Sequence, residues 1–107
     1  MAKGTIVAIN MDGTTTSQDV SDPNILGHLR RIVGGHMEVV PLWDRFRWEE
    51  VDRRCVVFCN EEGKLDGLGV NERATAMWYA CMGGPANDYL VGNIAVVFGD
   101  LEFMSEI

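Results

Sequence analysis

The alternation of apolar and polar residues along the chain predicts five β-strands. An apolar, β-branched run over residues 5–11 precedes Asp12-Gly13, which is typical of a hairpin, and the polar residues 14–20 would form an exposed second strand at a sheet edge. Apolar runs predict three more strands, over residues 36–42, 55–59 and 94–98. Pro41 places the first of these at an edge or a strand end, and the unbroken second run indicates a central strand.

Two segments have the residue spacing of helices. The first follows the capping sequence Ser21-Asp22-Pro23, ends at Gly34-Gly35 and carries its apolar residues on one face: Ile25, Leu26, Leu29, Ile32 and Val33. The second covers residues 72–82, with Asn71 as its N-cap and Gly83-Gly84-Pro85 at its end.

The resulting element order, β-β-α-β-β-α-β, interrupts a strict alternation of strands and helices. We therefore expect an α+β fold, with a mixed, largely antiparallel sheet of about five strands and two helices. The length of 107 residues fits a single domain, residues 1–107. Apolar residues make up 47% and charged residues 23% of the chain, which are ordinary values for a soluble globular domain.

The charge balance limits the classes of partner. Nine Lys and Arg residues against sixteen Asp and Glu residues give a net charge of −7. This argues against general nucleic-acid binding, because such binding rests on cationic contacts to phosphates. The sequence has no apolar run near the ~20 residues that span a bilayer and no secretory signal at its start. We expect a cytoplasmic protein that does not bind membranes.

The three cysteines, Cys55, Cys59 and Cys81, are an odd number and indicate reduced, buried thiols. On a strand, Cys55 and Cys59 would lie about 13 Å apart, too far to form a disulfide or to share a metal. Neither His28 nor His36 has a metal-ligand spacing to a cysteine. We therefore expect no metal site and no cofactor.

The densest set of functional groups lies in and after the segment 60–68. Here Asn60 and Lys64 precede Asn71 and Arg73 at the start of the second helix, whose free N–H groups favour an anionic ligand. The simpler interpretation is a solvated turn. Gly34-Gly35, beside His36, is a second candidate for close approach by a ligand, although a helix stop is the simpler interpretation of the pair.

A second group of residues is a candidate partner interface. Arginines alternate with aromatic residues in Arg45-Phe46-Arg47-Trp48, inside a charged segment, 44–54, that we expect to be irregular. The aromatic side chains could instead pack on the domain itself. Glu61 and Glu62 are adjacent, so they point apart and fit an acidic partner-binding face better than an acid/base pair. The sequence contains no nucleophile motif and assigns no catalytic residue, so we lean against an enzyme.

Three blocks of the chain resemble a small uncharacterised family encoded by bacteriophages, plasmids and other mobile elements. The resemblance covers roughly residues 25–99. The first block is Ile32-Val33-Gly34-Gly35-His36-Met37-Glu38-Val39-Val40. The second is Cys59-Asn60-Glu61-Glu62-Gly63-Lys64-Leu65-Asp66-Gly67-Leu68, with Asn71, Arg73 and Ala74, and the third is Val91-Gly92-Asn93-Ile94-Ala95-Val96-Val97-Phe98-Gly99. The chain departs from the pattern at Gly69, where a Pro is common, and in the longer segment 44–54.

The resemblance implies a genomic setting, in which accessory proteins of this size counter host defence. We therefore expect a non-catalytic protein that binds and inhibits a host defence protein, or sequesters a small phosphorylated ligand. Two alternatives stay open: a small enzyme acting on nucleotides or nucleic acid, and a homo-oligomeric assembly protein. Exposed aromatic side chains, including Trp43, Phe46 and Trp48, and an apolar tail over residues 101–107 favour a homodimer.

Overall fold

A computed structural model describes residues 2–22 and 24–107. Within this part of the chain there are seven strands and three helices, in the order β1 Gly4–Ile9, β2 Thr15–Val20, α1 Leu26–Val33, β3 Met37–Val39, β4 Arg45–Trp48, β5 Val51–Arg54, β6 Val56–Asn60, α2 Glu72–Met82, β7 Ile94–Gly99 and α3 Leu101–Met104. None of these helices is long and apolar enough to cross a membrane.

Five strands form the main sheet in the order β2-β1-β7-β6-β3, and each of its paired neighbours is antiparallel. β4 and β5 form a separate two-stranded hairpin. The expected α+β class and the five-stranded sheet are confirmed. The polar strand β2 and the strand β3 before Pro41 lie at the two edges, as their sequences predict.

The central strand β7 divides the core into two layers. Its residues Ile94, Val96 and Phe98 face one side, where α2 and the β4–β5 hairpin cover the sheet. Ala95 and Val97 face the other side, where α1 and α3 pack. Because strand side chains alternate between faces, a strand that is apolar at each of these positions must be covered on both sides.

The structure corrects three expectations about the elements. Residues 44–54 are not irregular, because the hairpin β4–β5 directs Phe46 and Trp48 inward and the alternating arginines outward. The tail is not exposed throughout, since α3 buries Phe103 completely while Leu101 is 91% exposed. α1 begins at Leu26 without a side-chain cap, and Pro23 lies outside the described residues.

Candidate functional site

The loop of residues 60–68 is compact and is held by its own backbone. The N–H groups of Gly63, Asp66 and Leu68 donate to the carbonyls of Asn60, Glu62 and Gly63, at 3.2, 2.9 and 3.0 Å. Gly63 is buried, and a Cβ there would lie 2.7 Å from Cγ2 of Val91. The loop therefore packs closely on the segment before β7, which fixes the exposed side chains that follow Gly63.

A cavity of about 130 Å³ lies beside this loop, between β3, α2 and the segment 88–91. Its walls include the buried Trp78, whose Nε1 donates to the carbonyl of Pro41 at 2.8 Å. Its rim carries three exposed apolar side chains: Val39, Leu65 and Tyr89. Small-molecule sites have volumes of roughly 300–1,000 Å³, so this cavity has room for the end of one side chain but not for a drug-sized ligand.

Lys64 is compensated within the chain. Its ammonium donates a hydrogen bond to Asp88 and lies 4.3 Å from the ring centroid of Tyr89. The hydrogen bond to Asp88 raises the pKa of Lys64, and the same bond lowers the pKa of Asp88, so both groups are charged at neutral pH. A ligand anion would therefore compete with Asp88 for this ammonium.

The other ionisable groups around the cavity make its surface acidic. Glu38 and Glu61 join Asp88 in the lining, so three carboxylates face one ammonium. Burial, followed by the neighbouring Glu38 carboxylate, raises the pKa of the Cys59 thiol to about 11. The cavity therefore presents negative charge, apolar surface and a protonated thiol at neutral pH.

Four of the predicted ligand-binding residues come together at the end of α1. Nδ2 of Asn60 donates to the carbonyl of Val33 at 3.1 Å, and its Oδ1 accepts from the Glu62 N–H at 2.8 Å. Gly34 ends the helix with φ 82°, and a Cβ at Gly35 would lie 3.2 Å from Nδ2 of Asn60. The His36 carbonyl accepts from the Glu61 N–H at 2.8 Å. These contacts join α1 to the loop.

Asn71 and Arg73 lie elsewhere. Asn71 is fully buried, caps α2 by accepting from the Ala74 N–H, and holds two backbone carbonyls. Arg73 donates to the carbonyl of Gly13 in the β1–β2 turn. Among the described residues, the lining of the cavity includes Lys64 but neither Asn71 nor Arg73. The structure thus does not bring Lys64 and Arg73 together on one surface.

The candidate interface residues divide into exposed and buried groups. Arg45, Arg47, Glu61 and Glu62 are exposed, and Glu61 lines the cavity. Phe46 is only 4% exposed and packs 6.0 Å from the ring of Trp48. The expected exposure of Phe46 is therefore wrong, as it is for Trp43, which is 3% exposed.

Sequence reasoning missed several residues that line the cavity, namely Glu38, Val39, Leu65, Asp88 and Tyr89. Asp88 and Tyr89 lie between α2 and β7, in a segment that has no regular periodicity. A charged residue next to an aromatic one in such a segment was a usable signal, but its position against Lys64 depends on the tertiary fold.

The described residues contain no group of three or more His, Cys, Asp or Glu side chains placed to hold a metal ion. No curated protein and no solved structure matches the chain. The profile of DUF3846, a domain of unknown function, matches residues 4–105, which include both edges of the sheet, the cavity and the β4–β5 hairpin. Since that match spans nearly the whole sequence, the chain belongs to the DUF3846 family.

Proposed function

We propose that this chain is a non-catalytic binding protein that engages a basic partner protein through the surface around the cavity. We call this the cavity surface, and it consists of Glu38, Val39, Glu61, Lys64, Leu65, Asp88 and Tyr89. The observation that carries the proposal is the combination of three carboxylates, against one ammonium, with three exposed apolar side chains beside a small cavity.

The apolar part of the cavity surface supports protein binding. Leu65 is 89% exposed, Val39 56% and Tyr89 45%. Apolar side chains grouped with a polar rim are typical of protein interaction sites, and aromatic residues at such places often dominate the binding energy. Burial of a leucine side chain contributes roughly 1.5–3 kcal/mol, so Leu65 is a suitable anchor.

The charge of the molecule supports a basic partner. The net charge of −7 attracts cationic proteins over distances up to about a Debye length, roughly 8 Å at physiological salt. Carboxylates at the rim then select partners with opposite charge. A phosphorylated ligand is less suited to the cavity, because the carboxylates repel it and Lys64 is already bound to Asp88.

The protonation states support binding without catalysis. The pKa values of Lys64 and Cys59 are raised and the pKa of Asp88 is lowered, so each shift is away from pH 7. General acid–base catalysis is most efficient when a group has a pKa near the working pH. These three groups therefore fit fixed charges and hydrogen-bond partners better than proton carriers.

The resemblance to proteins of phages and plasmids supplies the setting of the proposal. In that setting the chain acts in the host cytoplasm, and the basic partner is a host defence protein that the chain inhibits.

Site-specific photocrosslinking tests the proposed interface. A photoreactive amino acid replaces Leu65 in one variant and Leu101, which is 91% exposed and belongs to α3, in a matched control. We expect a protein adduct from the Leu65 variant and none from the control, in the cells that naturally make the chain. Adducts of equal yield at both positions, or none at Leu65, would contradict the proposal.

Charge reversal tests the electrostatic part. The double variant Glu38→Lys, Glu61→Lys should slow association with the crosslinked partner by an amount that shrinks at high salt. Glu49→Lys, Glu50→Lys, at the tip of the β4–β5 hairpin, is a control with the same net charge. Equal slowing by both variants would show that only net charge matters and would contradict a defined site.

A further inference from the structure

The β4–β5 hairpin carries positive charge that the fold leaves uncompensated. In the strand register, Arg45 lies directly opposite Arg54, and Arg47 lies opposite Asp52. Arg47 and Asp52 form an ion pair at 3.3 Å, whereas the described residues provide no carboxylate partner for Arg45 or Arg54. Directly opposed side chains have Cβ atoms about 5 Å apart, and like charges in that position destabilise a strand pair. The two guanidinium groups therefore have no evident role in folding.

The two arginines of β4, Arg45 and Arg47, line an open groove between the hairpin and α2. The groove has a volume of about 300 Å³, and its lining includes Arg45 and Arg47 on the hairpin side and Met77, Ala80 and Cys81 on the helix side. That volume is at the lower end of the range for small-molecule sites. The groove shares no lining residue with the cavity beside Lys64.

We propose that this groove binds a small molecule in which a phosphate group is joined to a flat ring. The guanidinium of Arg45, which lines the groove, would hold the phosphate, because the planar fork of arginine matches phosphate oxygens. Arg54 lies opposite Arg45 in the strand register but outside the groove lining, and would add positive charge at the edge of the site. The ring would lie on Met77 and Ala80, since methionine sulfur makes favourable contacts with aromatic rings. This site is independent of the proposed protein-binding surface.

The surroundings of the groove favour a small ligand over a nucleic acid. Asp44, Glu49, Glu50 and Asp52 flank the arginines, and the chain as a whole is strongly acidic. A long polyanion would meet these carboxylates along its length, because its binding depends on many cationic contacts. A single phosphate needs only the local guanidinium groups, and the Asp52 carboxylate in the groove lining is paired with Arg47.

Titration of the full chain tests the site, with adenosine 5′-monophosphate, inorganic phosphate and adenosine as separate probes. We expect the monophosphate to bind more tightly than either of its parts, as measured by calorimetry. The variant Arg45→Ala, Arg54→Ala should lose about tenfold or more in affinity, since it removes the charged hydrogen-bond donors to the phosphate. Its folding should be unimpaired, because the change removes a like-charge pair.

The variant Arg30→Ala, Arg31→Ala is the matched control, as these two exposed arginines lie in the last turn of α1 on the other side of the sheet. Binding of the monophosphate should be unchanged there. Equal losses in both double variants, equal affinity for inorganic phosphate and the monophosphate, or no binding of the monophosphate at millimolar concentration would each overturn the proposal.

Protection of Cys81 provides a second readout. Cys81 lines the groove, whereas Cys59 lines the separate cavity. Bound monophosphate should slow alkylation of Cys81 several-fold and leave alkylation of Cys59 unchanged, as followed by mass spectrometry. Equal rates at Cys81 with and without a saturating amount of the probe would place the ligand elsewhere and overturn the proposed site.

Discussion

Asn71 shows how one polar side chain can join three parts of the chain. Both protons of its amide nitrogen are used, by the Ile9 carbonyl at 2.8 Å and the Gly92 carbonyl at 2.9 Å. Its oxygen accepts from the Ala74 N–H at 3.0 Å. The side chain is fully buried, so these bonds cannot be replaced by water. Asn71 therefore fixes the start of α2 against β1 and the segment before β7.

The variant Asn71→Ala should lower the free energy of unfolding by about 3 kcal/mol. Loss of an N-cap costs about 1 kcal/mol, and leaving buried carbonyls without a donor costs about 1–3 kcal/mol. Urea denaturation followed by circular dichroism measures the change. The exposed Asn87→Ala is the control and should change stability by less than about 0.5 kcal/mol. A similar effect at both positions would contradict this role of Asn71.

Cys59 should react slowly in the folded protein. Its pKa is raised from 9.0 to about 11, first by burial and then by Glu38, so the thiolate at pH 8 is roughly a hundredfold scarcer than in the unfolded chain. Burial and Glu38 disfavour the charged thiolate, which is the reactive form. The alkylation rate should therefore increase as the pH rises towards 11.

Alkylation of Cys59 by iodoacetamide, measured between pH 7 and 10 by mass spectrometry, checks this prediction. The variant Glu38→Gln removes the neighbouring charge and should speed the reaction at each pH. A rate in the folded protein whose pH dependence has its midpoint near pH 9, as for an ordinary thiol, would be inconsistent with the environment described above.

At the scale of single residues, local contacts were predictable and distant ones were not. The cap at Asn71 is confirmed, because an N-cap side chain bonds a backbone group only three residues away. The partner of Lys64 was not predictable, since Asp88 is 24 residues further along the chain. In the sequence, the charge of Lys64 therefore suggested binding of a ligand anion, whereas in the structure this charge is paired with Asp88.

The β4–β5 hairpin is the element whose sequence conflicts most with its backbone. Its two-residue turn, Glu49-Glu50, has φ values of 51° and 66°. Turns of this kind favour Asn-Gly, because a side chain in the left-handed region costs roughly 1 kcal/mol or more per residue. The sequence contains no such turn signal at these positions, so its pattern predicts an irregular segment over residues 44–54 rather than a hairpin.

The double variant Glu49→Asn, Glu50→Gly should stabilise the protein by about 1 kcal/mol, because it supplies the residues that this turn conformation favours. Urea denaturation measures the gain. Gly67→Ala is the opposite control, since Gly67 has φ 70° and open space around it, and the change should cost about 1 kcal/mol of backbone strain. Destabilisation by the double variant would mean that the glutamates make contacts that outweigh their strain.

At the scale of the whole molecule, α3 completes the core on one side of the sheet. Phe103 is fully buried and packs with Ile6, Leu29 and Val97. A Cβ at Gly4 would overlap the Phe103 ring, so the small residue at the start of β1 makes room for it. The backbone N–H of Asp100 donates to the carbonyl of Lys3 at 2.9 Å, and the Lys3 N–H donates to the Asp100 side chain at 2.9 Å.

The variant Phe103→Ala should destabilise the fold by about 3–5 kcal/mol, because it removes a buried aromatic ring and leaves a cavity. Leu101→Ala, two residues earlier and 91% exposed, is the control and should change stability by less than about 0.5 kcal/mol. Thermal and urea denaturation measure both. If the two variants were equally stable, the tail would not be part of the core.

The overall architecture was more predictable than the tail. Alternation and apolar runs were sufficient to indicate the class, the five strands of the sheet and its two edges. The residues Leu101–Met104 were too few to show helical periodicity, so their apolar side chains resembled an exposed surface. The expected homodimer stays a prediction that light scattering tests. A mass of twice 11.9 kDa would support the dimer, and a mass of 11.9 kDa would contradict it.

The central position of β7 has a consequence for how the chain folds during synthesis. β1 pairs with β7, whose residues come about 90 positions later, and β6 pairs with the other edge of β7. Until the ribosome has made residue 99, the nascent β1–β2 and β3–β6 pairs have no strand to join them, and each exposes an apolar edge. Residues up to Gly99 must therefore be synthesised before the sheet can close, and a translation product interrupted before β7 would be prone to aggregate.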